Sequence, residues 1–133
     1  MNFIIVMSDS FRFDNLACYS GIRPRFRTPG GPTMTPHLDR FAEKCVIFDR
    51  AYCGSYPTVP NRKDLYLGKL VFPFEGWSPL DKQAVTFAKL LNECGYVTHS
   101  VQDAPHTAKE NFNFHKDFTS WEWIRGQEVD RLA

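Results

Sequence analysis

Asn2-Phe3-Ile4-Ile5-Val6-Met7, closed by Ser8-Asp9-Ser10, is the stretch on which the fold reading turns. Six uncharged residues, β-branched in the middle and bounded by polar ones, read as a strand buried on both faces. Such strands belong to parallel sheets, whose two faces are covered by helices. In open parallel sheets, ligands gather at the carboxyl ends of the strands. Asp9 stands at that end. Two readings stay open for it: a site carboxylate, or a cap for the next helix.

The chain beyond this strand continues the same pattern. Tyr19 to Met34 is rich in Gly, Pro and Arg and reads as a loop, with Arg23, Arg25 and Arg27 as a solvated basic cluster or, alternatively, contacts for an anionic substrate. Thr35-Pro36 opens a helix with an N-cap and a first-turn proline, and Leu38, Phe41, Ala42 and Cys45 give it one apolar face. Val46-Ile47-Phe48 with Ala51-Tyr52 predicts a short strand. A helix is expected from about Pro60 to Leu67, ending near Gly68. Thr86 caps another, whose Phe87, Leu90, Leu91 and Cys94 face inward before Gly95 closes it. Tyr96 to Val101 reads as the next strand, with Gln102-Asp103-Ala104-Pro105-His106 at its carboxyl end. The order is strand, helices, strand, helix, strand. That is the beginning of a doubly wound, mostly parallel α/β sheet.

At 133 residues the chain is at most one domain, long enough for a real core. Sixteen basic against fifteen acidic side chains leave no electrostatic footprint for nucleic acid or an anionic membrane. No apolar run approaches the roughly 20 residues needed to span a bilayer. The N-terminus shows no basic region followed by an apolar segment, so a cytoplasmic location is expected. Cys18, Cys45, Cys53 and Cys94 have no CxxC or metal-type spacing and read as reduced, mostly buried small hydrophobes.

Gly54-Ser55-Tyr56-Pro57-Thr58-Val59-Pro60-Asn61-Arg62 carries the chemistry. A hydroxyl at a helix start faces the positive end of the dipole and free backbone N–H groups, where an anionic ester would be held. Arg62, four residues on, adds a planar and always-charged fork for sulfate or phosphate oxygens. The plainer alternative is a Ser/Thr helix cap followed by a surface arginine.

Taken in order, these pieces resemble the N-terminal part of the sulfatase-like branch of the alkaline phosphatase superfamily. The matching residues are Asp9, Arg12, Asp14, Leu16, Cys18 and Tyr19, then Thr35-Pro36-His37-Leu38-Asp39-Arg40-Phe41-Ala42, Phe48 and Ala51-Tyr52. The nucleophile loop follows, then Gly68 and Gly95-Tyr96-Val97-Thr98. The resemblance covers nearly the whole chain. It implies metal-binding carboxylates after the first strand, here Asp9, and a nucleophile in a Cys/Ser-x-Pro-x-Arg loop. Thr58, Pro60 and Arg62 fall on the nucleophile, proline and arginine positions.

Three departures refine that expectation. Threonine is not converted to formylglycine, so no formylglycine is expected, and Cys53 lacks the Pro and Arg two and four residues later. Family members with an unmodified Thr or Ser cleave phosphodiesters and phosphonates. Ser10 replaces a second aspartate, which implies weaker metal coordination. The Lys-Trp-His motif that contacts sulfate is replaced by Asp103-Ala104-Pro105-His106, with no counterpart for the lysine.

The resemblance therefore implies a small anionic ester as substrate and a divalent metal (Mn, Zn, Ca or Mg) on Asp9 and Thr58. Thr58 and Arg62 are the catalytic residues, while Asn61 and His106 contact substrate oxygens. His37, His99 and His115 take surface or packing roles. The family's second carboxylate/His metal pair has no counterpart: Asp117 and Asp130 have no histidine beside them. Residues 1–133 are thus expected to be the N-terminal portion of a single sulfatase-like α/β domain, completed by a further half or by homo-oligomerisation. The alternative is a truncated, non-catalytic homologue that acts as a binding module. Its docking surface would be a sheet edge with Phe112, Phe114, Phe118, Trp121 and Trp123.

Overall fold

A computed structural model describes residues 1–19, 34–127 and 130. Arg23, Arg25 and Arg27 of the expected loop lie outside them. The chain divides into two compact units, Met1–Tyr52 and Cys53–Ala133.

In the first unit, helix α1 spans Pro36–Ala42 and two single 3₁₀ turns cover Phe13–Asn15 and Ala17–Tyr19. Thr35 does stand at the N-cap position, yet its hydroxyl does not cap the helix. It donates instead to Asp39 (3.1 Å to Oδ1), whose Oδ1 also accepts the Cys18 amide at 3.0 Å. Asp39 thus ties the start of α1 to the second turn. Arg12 and Asp14 form a two-bonded ion pair, with Nε 2.9 Å from Oδ1. Those hydrogen bonds hold the Asp14 carboxyl below its ordinary range.

The strand expected over residues 2–7 is not formed, and Phe3, Ile4, Ile5 and Val6 are exposed. The pattern nominates a strand, but a strand exists only through a hydrogen-bonded neighbour, and none pairs with this segment among the described residues. Residues 46–48 and 51–52 are likewise irregular for the same reason. The apolar stripe of α1 is not buried either: Leu38 and Phe41 stay exposed.

The second unit holds the core. Its elements are α2 (Thr58–Leu67), α3 (Phe87–Glu93), β1 (His99–Gln102), α4 (Pro105–Ala108) and β2 (Ser120–Trp123). The strands β1 and β2 pair in parallel, His99 opposite Ser120 through Gln102 opposite Trp123. The parallel sheet expected of an α/β chain is therefore present as two strands. The second of them, Ser120–Trp123, falls where the sequence pattern predicts no element. A parallel pair needs a crossover; α4 and the turn at Glu110–Phe112 occupy it.

Helix α2 ends at Gly68, whose φ of +63° closes it in the left-handed conformation that glycine takes without steric cost. Thr86 caps α3 as expected, accepting the Lys89 amide at 3.2 Å, and its own hydroxyl donates to Asp117 Oδ2 at 2.9 Å. The inward face of α3 is narrower than its period suggests. Ala88 is buried and Phe87 half-buried, but Leu90 and Cys94 are exposed.

Val59, Tyr66, Leu80 and Phe114 form the core cluster, with Leu65, Leu67, Phe87, Phe112 and Phe118 packed against it. Tyr66 meets Phe87, Phe114 and Phe118 edge to face, with centroids 5.3, 5.1 and 6.0 Å away. The phenylalanines nominated for a docking surface are therefore core residues: Phe114 is fully buried, and Phe112 and Phe118 pack inward. All four cysteines are free, but Cys45, Cys53 and Cys94 are exposed and Cys18 is half-buried, so they are not core hydrophobes. Among the described residues, no helix is long and apolar enough to cross a membrane.

Candidate functional site

Helix α2 begins two residues earlier than its proline suggests. Thr58 is the first helical residue, the N-cap is Pro57, and no side chain caps the end. The plainer reading of Thr58 as a helix cap therefore does not hold. The Thr58 side chain is half-buried, and its hydroxyl makes no hydrogen bond among the described residues. The first intrahelical bond runs from the Asn61 amide to Pro57 O at 3.1 Å. The amides of Thr58 and Val59 precede it, at the positive end of the helix.

Arg62 lies one turn after Thr58, so the two side chains share a face, with Cβ atoms about 5–6 Å apart in a regular helix. Its Nη1 donates to Asn61 Oδ1 at 3.2 Å, and Asn61 Nδ2 donates to Cys53 Sγ at 3.2 Å. Asn61, expected to contact substrate oxygens, thus joins Arg62 to Cys53.

Several residues that the sequence did not single out fix this turn. Ser55 is fully buried; its hydroxyl donates to Asp64 Oδ1 at 2.7 Å and accepts the Phe72 amide at 3.0 Å. Asp64 Oδ1 also accepts the Val71 amide at 2.9 Å. Gly54 is required beside them, since a Cβ there would stand 2.2 Å from Leu70 Cδ2 and 2.8 Å from Asp64 Oδ2. On the same helix, Lys63 is only 1% exposed and donates to Glu75 Oε2 at 2.8 Å and Ser78 Oγ at 2.7 Å. The Gly-Ser pair before the loop is the only trace of this bracing that the sequence carries.

Tyr66 sits two turns beyond Thr58, and its hydroxyl accepts from Gln102 of β1 at 3.2 Å. Burial pushes the phenol above its ordinary range, against the opposing pull of a Ser100 hydrogen bond and the Arg62 charge. His106 is in α4, just past the carboxyl end of β1 as expected. It is half-buried, with its ring 5.1 Å from that of Trp77.

Asp9 belongs to the first unit, and its Oδ1 accepts the Ser10 hydroxyl at 3.1 Å. A divalent ion takes roughly four to eight ligands. Among the described residues, no group of three or more His, Cys, Asp or Glu side chains could hold one. They do not fit a metal centre on their own. What α2 does offer is a hydroxyl, an arginine and free backbone N–H groups at one helix end, a constellation suited to an anionic group.

The Sulfatase family model matches residues 1–130. An N-acetylgalactosamine-6-O-sulfatase of Bacteroides thetaiotaomicron is 32% identical over 108 residues, covering 75% of this chain and 19% of that protein. A steryl-sulfatase of Rattus norvegicus is 30% identical over 115 residues, covering 75% of this chain and 18% of that protein. The chain spans about a fifth of the length of these curated relatives. No solved structure matches it.

Proposed function

The chain belongs to the sulfatase family, and we propose that it carries the nucleophile portion of a site that cleaves phosphodiesters or phosphonate monoesters. In this reading it forms the first β/α units of a doubly wound, alkaline phosphatase-like sheet. The observation that carries the proposal is Thr58, a hydroxyl at the first position of α2 that neither caps the helix nor bonds elsewhere among the described residues.

The Thr58 oxygen attacks phosphorus, its proton ends on the departing alcohol, and the ester bond to that alcohol breaks as the bond to the enzyme forms. Arg62 meets the charge on the non-bridging oxygens. Water then releases the phosphoryl group and restores the hydroxyl. His106, past the carboxyl end of β1, is assigned a substrate contact, and Asn61 holds Arg62 in place. Members of the family generally use a divalent metal ion, and Asp9 is the residue here assigned to it. The described residues do not complete that site, so the roles of Thr58 and Arg62 rest on their own positions.

Sulfate esters are the second reading, favoured by the two relatives, both sulfatases by name. Thr58 in place of a convertible Cys or Ser argues against it. The test is the protein encoded by the native gene, assayed with manganese on a phosphodiester, a phosphonate monoester and an aryl sulfate. Thr58→Ala is expected to remove turnover of the first two while leaving the fold unchanged. Turnover of the aryl sulfate alone, or a Thr58→Ala variant as active as the wild type, would overturn the assignment.

A further inference from the structure

The hydrogen bonds ahead of α2 give Thr58 a brace that no motif announces. Ser55, three residues before Thr58, is 1% exposed, and both its donor and its acceptor capacity are committed. Its proton goes to Asp64, six residues after Thr58 on the same helix, at 2.7 Å. Its lone pair takes the Phe72 amide, and Asp64 Oδ1 takes the adjacent Val71 amide at 2.9 Å. Three segments therefore converge on one hydroxyl and one carboxylate: the loop before α2, the body of α2 and the chain after Gly68. The second carboxylate oxygen, Oδ2, is buried with no hydrogen bond among the described residues and faces the missing Cβ of Gly54. A side chain at position 54 would fill the place the clamp occupies.

We propose that Ser55 and Asp64 are positioning residues that clamp the loop before Thr58 to the body of α2 and so fix the direction of the Thr58 hydroxyl. Helix register ties Pro57, the residue before Thr58, to α2 through the Asn61 amide, 3.1 Å from Pro57 O. Fraying that turn would swing Thr58 away from Arg62. Locking Ser55 to Asp64 prevents it, because the loop then cannot move without breaking two buried hydrogen bonds. The proposal rests on reading Thr58 as the nucleophile, and its test separates the two.

Ser55→Ala, Asp64→Ala and the double variant are prepared in the protein from the native gene. Turnover is measured per folded molecule on the phosphodiester, and backbone amide exchange is followed by NMR. Both single variants are expected to lose kcat by about tenfold or more with little change in KM, as misplacement of a reacting group does. The double variant should lose no more than the worse single, because the two residues act as one clamp. Asn61 should exchange its amide faster in Ser55→Ala, while Gly68, bonded to Asp64 O, keeps its rate. Unchanged kcat per folded molecule, or losses that multiply in the double variant, would overturn the proposal.

If the wild type shows no Thr58-dependent turnover, the nucleophile reading fails and amide exchange alone decides. An Asn61 rate equal to that of the wild type then rejects the clamp, and a faster rate upholds it as a device that holds the loop. Should Ser55→Ala not fold, Ser55→Cys takes its place under the same criteria.

Discussion

Lys63 shows how much of this chain is decided by single side chains. A lysine that is 1% exposed is stable there only because its ammonium meets Glu75 and Ser78. Glu75 is itself partly solvated, its side chain 38% exposed, so the loss of its partner is cushioned by water. Lys63→Met, which keeps the apolar stem, is expected to cost less than about 1.5 kcal/mol. Lys63→Ala leaves a void as well and should cost about 2–4 kcal/mol. Urea unfolding of both variants tests this, and equal losses would place the stability in the ion pair and not in the packing of the stem. Tyr66 gives a prediction in pH. Its folded pKa lies above the unfolded value of about 10. The native state therefore keeps the phenol proton where the unfolded chain releases it, so stability is complete below about pH 10 and falls as pH rises beyond it. Melting temperatures from pH 9 to 11 should drop more steeply for the wild type than for Tyr66→Phe. Parallel curves would contradict the burial argument.

Elements show which sequence signals were legible. Thr86 was readable as a cap because the signal is local: a hydroxyl bonding an amide three residues on. Thr86→Ala also removes one hydrogen bond from the Asp117 carboxylate, which keeps Lys116 at 3.3 Å, so a loss of about 1–2 kcal/mol is expected, with Thr86→Ser retaining most of the stability. A calorimetric Tm unchanged in Thr86→Ala would show that the cap is idle. Gly68 was equally readable, as a left-handed helix end. Thr35 stands where the same kind of cap would, but its hydroxyl accepts the Ala17 amide at 3.4 Å, from outside the helix, while donating to Asp39. Strands were the least legible. The apolar runs at residues 2–7 and 46–48 have the composition but no partner among the described residues, whereas Ser120–Trp123, with polar Ser and Glu in it, is paired because β1 lies beside it. Composition proposes a strand; pairing makes one.

On the scale of the whole molecule, the chain carries two compact units and a family signature that runs across both. The order of motifs revealed the family because each piece was short and local. The bracing of Thr58 was not legible, because Ser55, Asp64, Val71 and Phe72 meet only after α2 folds back on its neighbours. The docking surface of the alternative, non-catalytic reading fails for the same reason: Phe114 is buried by Tyr66, a contact across nearly fifty positions that no window of sequence contains. In the proposed mechanism Thr58 receives the transferred group. The most direct measurement is tandem mass spectrometry of the native-gene protein, quenched in acid during turnover of a phosphodiester with manganese. Thr58 is expected to carry a phosphoryl group that retains the second ester of the substrate, a modification absent from Thr58→Ala. Sustained turnover with no modification at Thr58, or with the group on another residue, would contradict it.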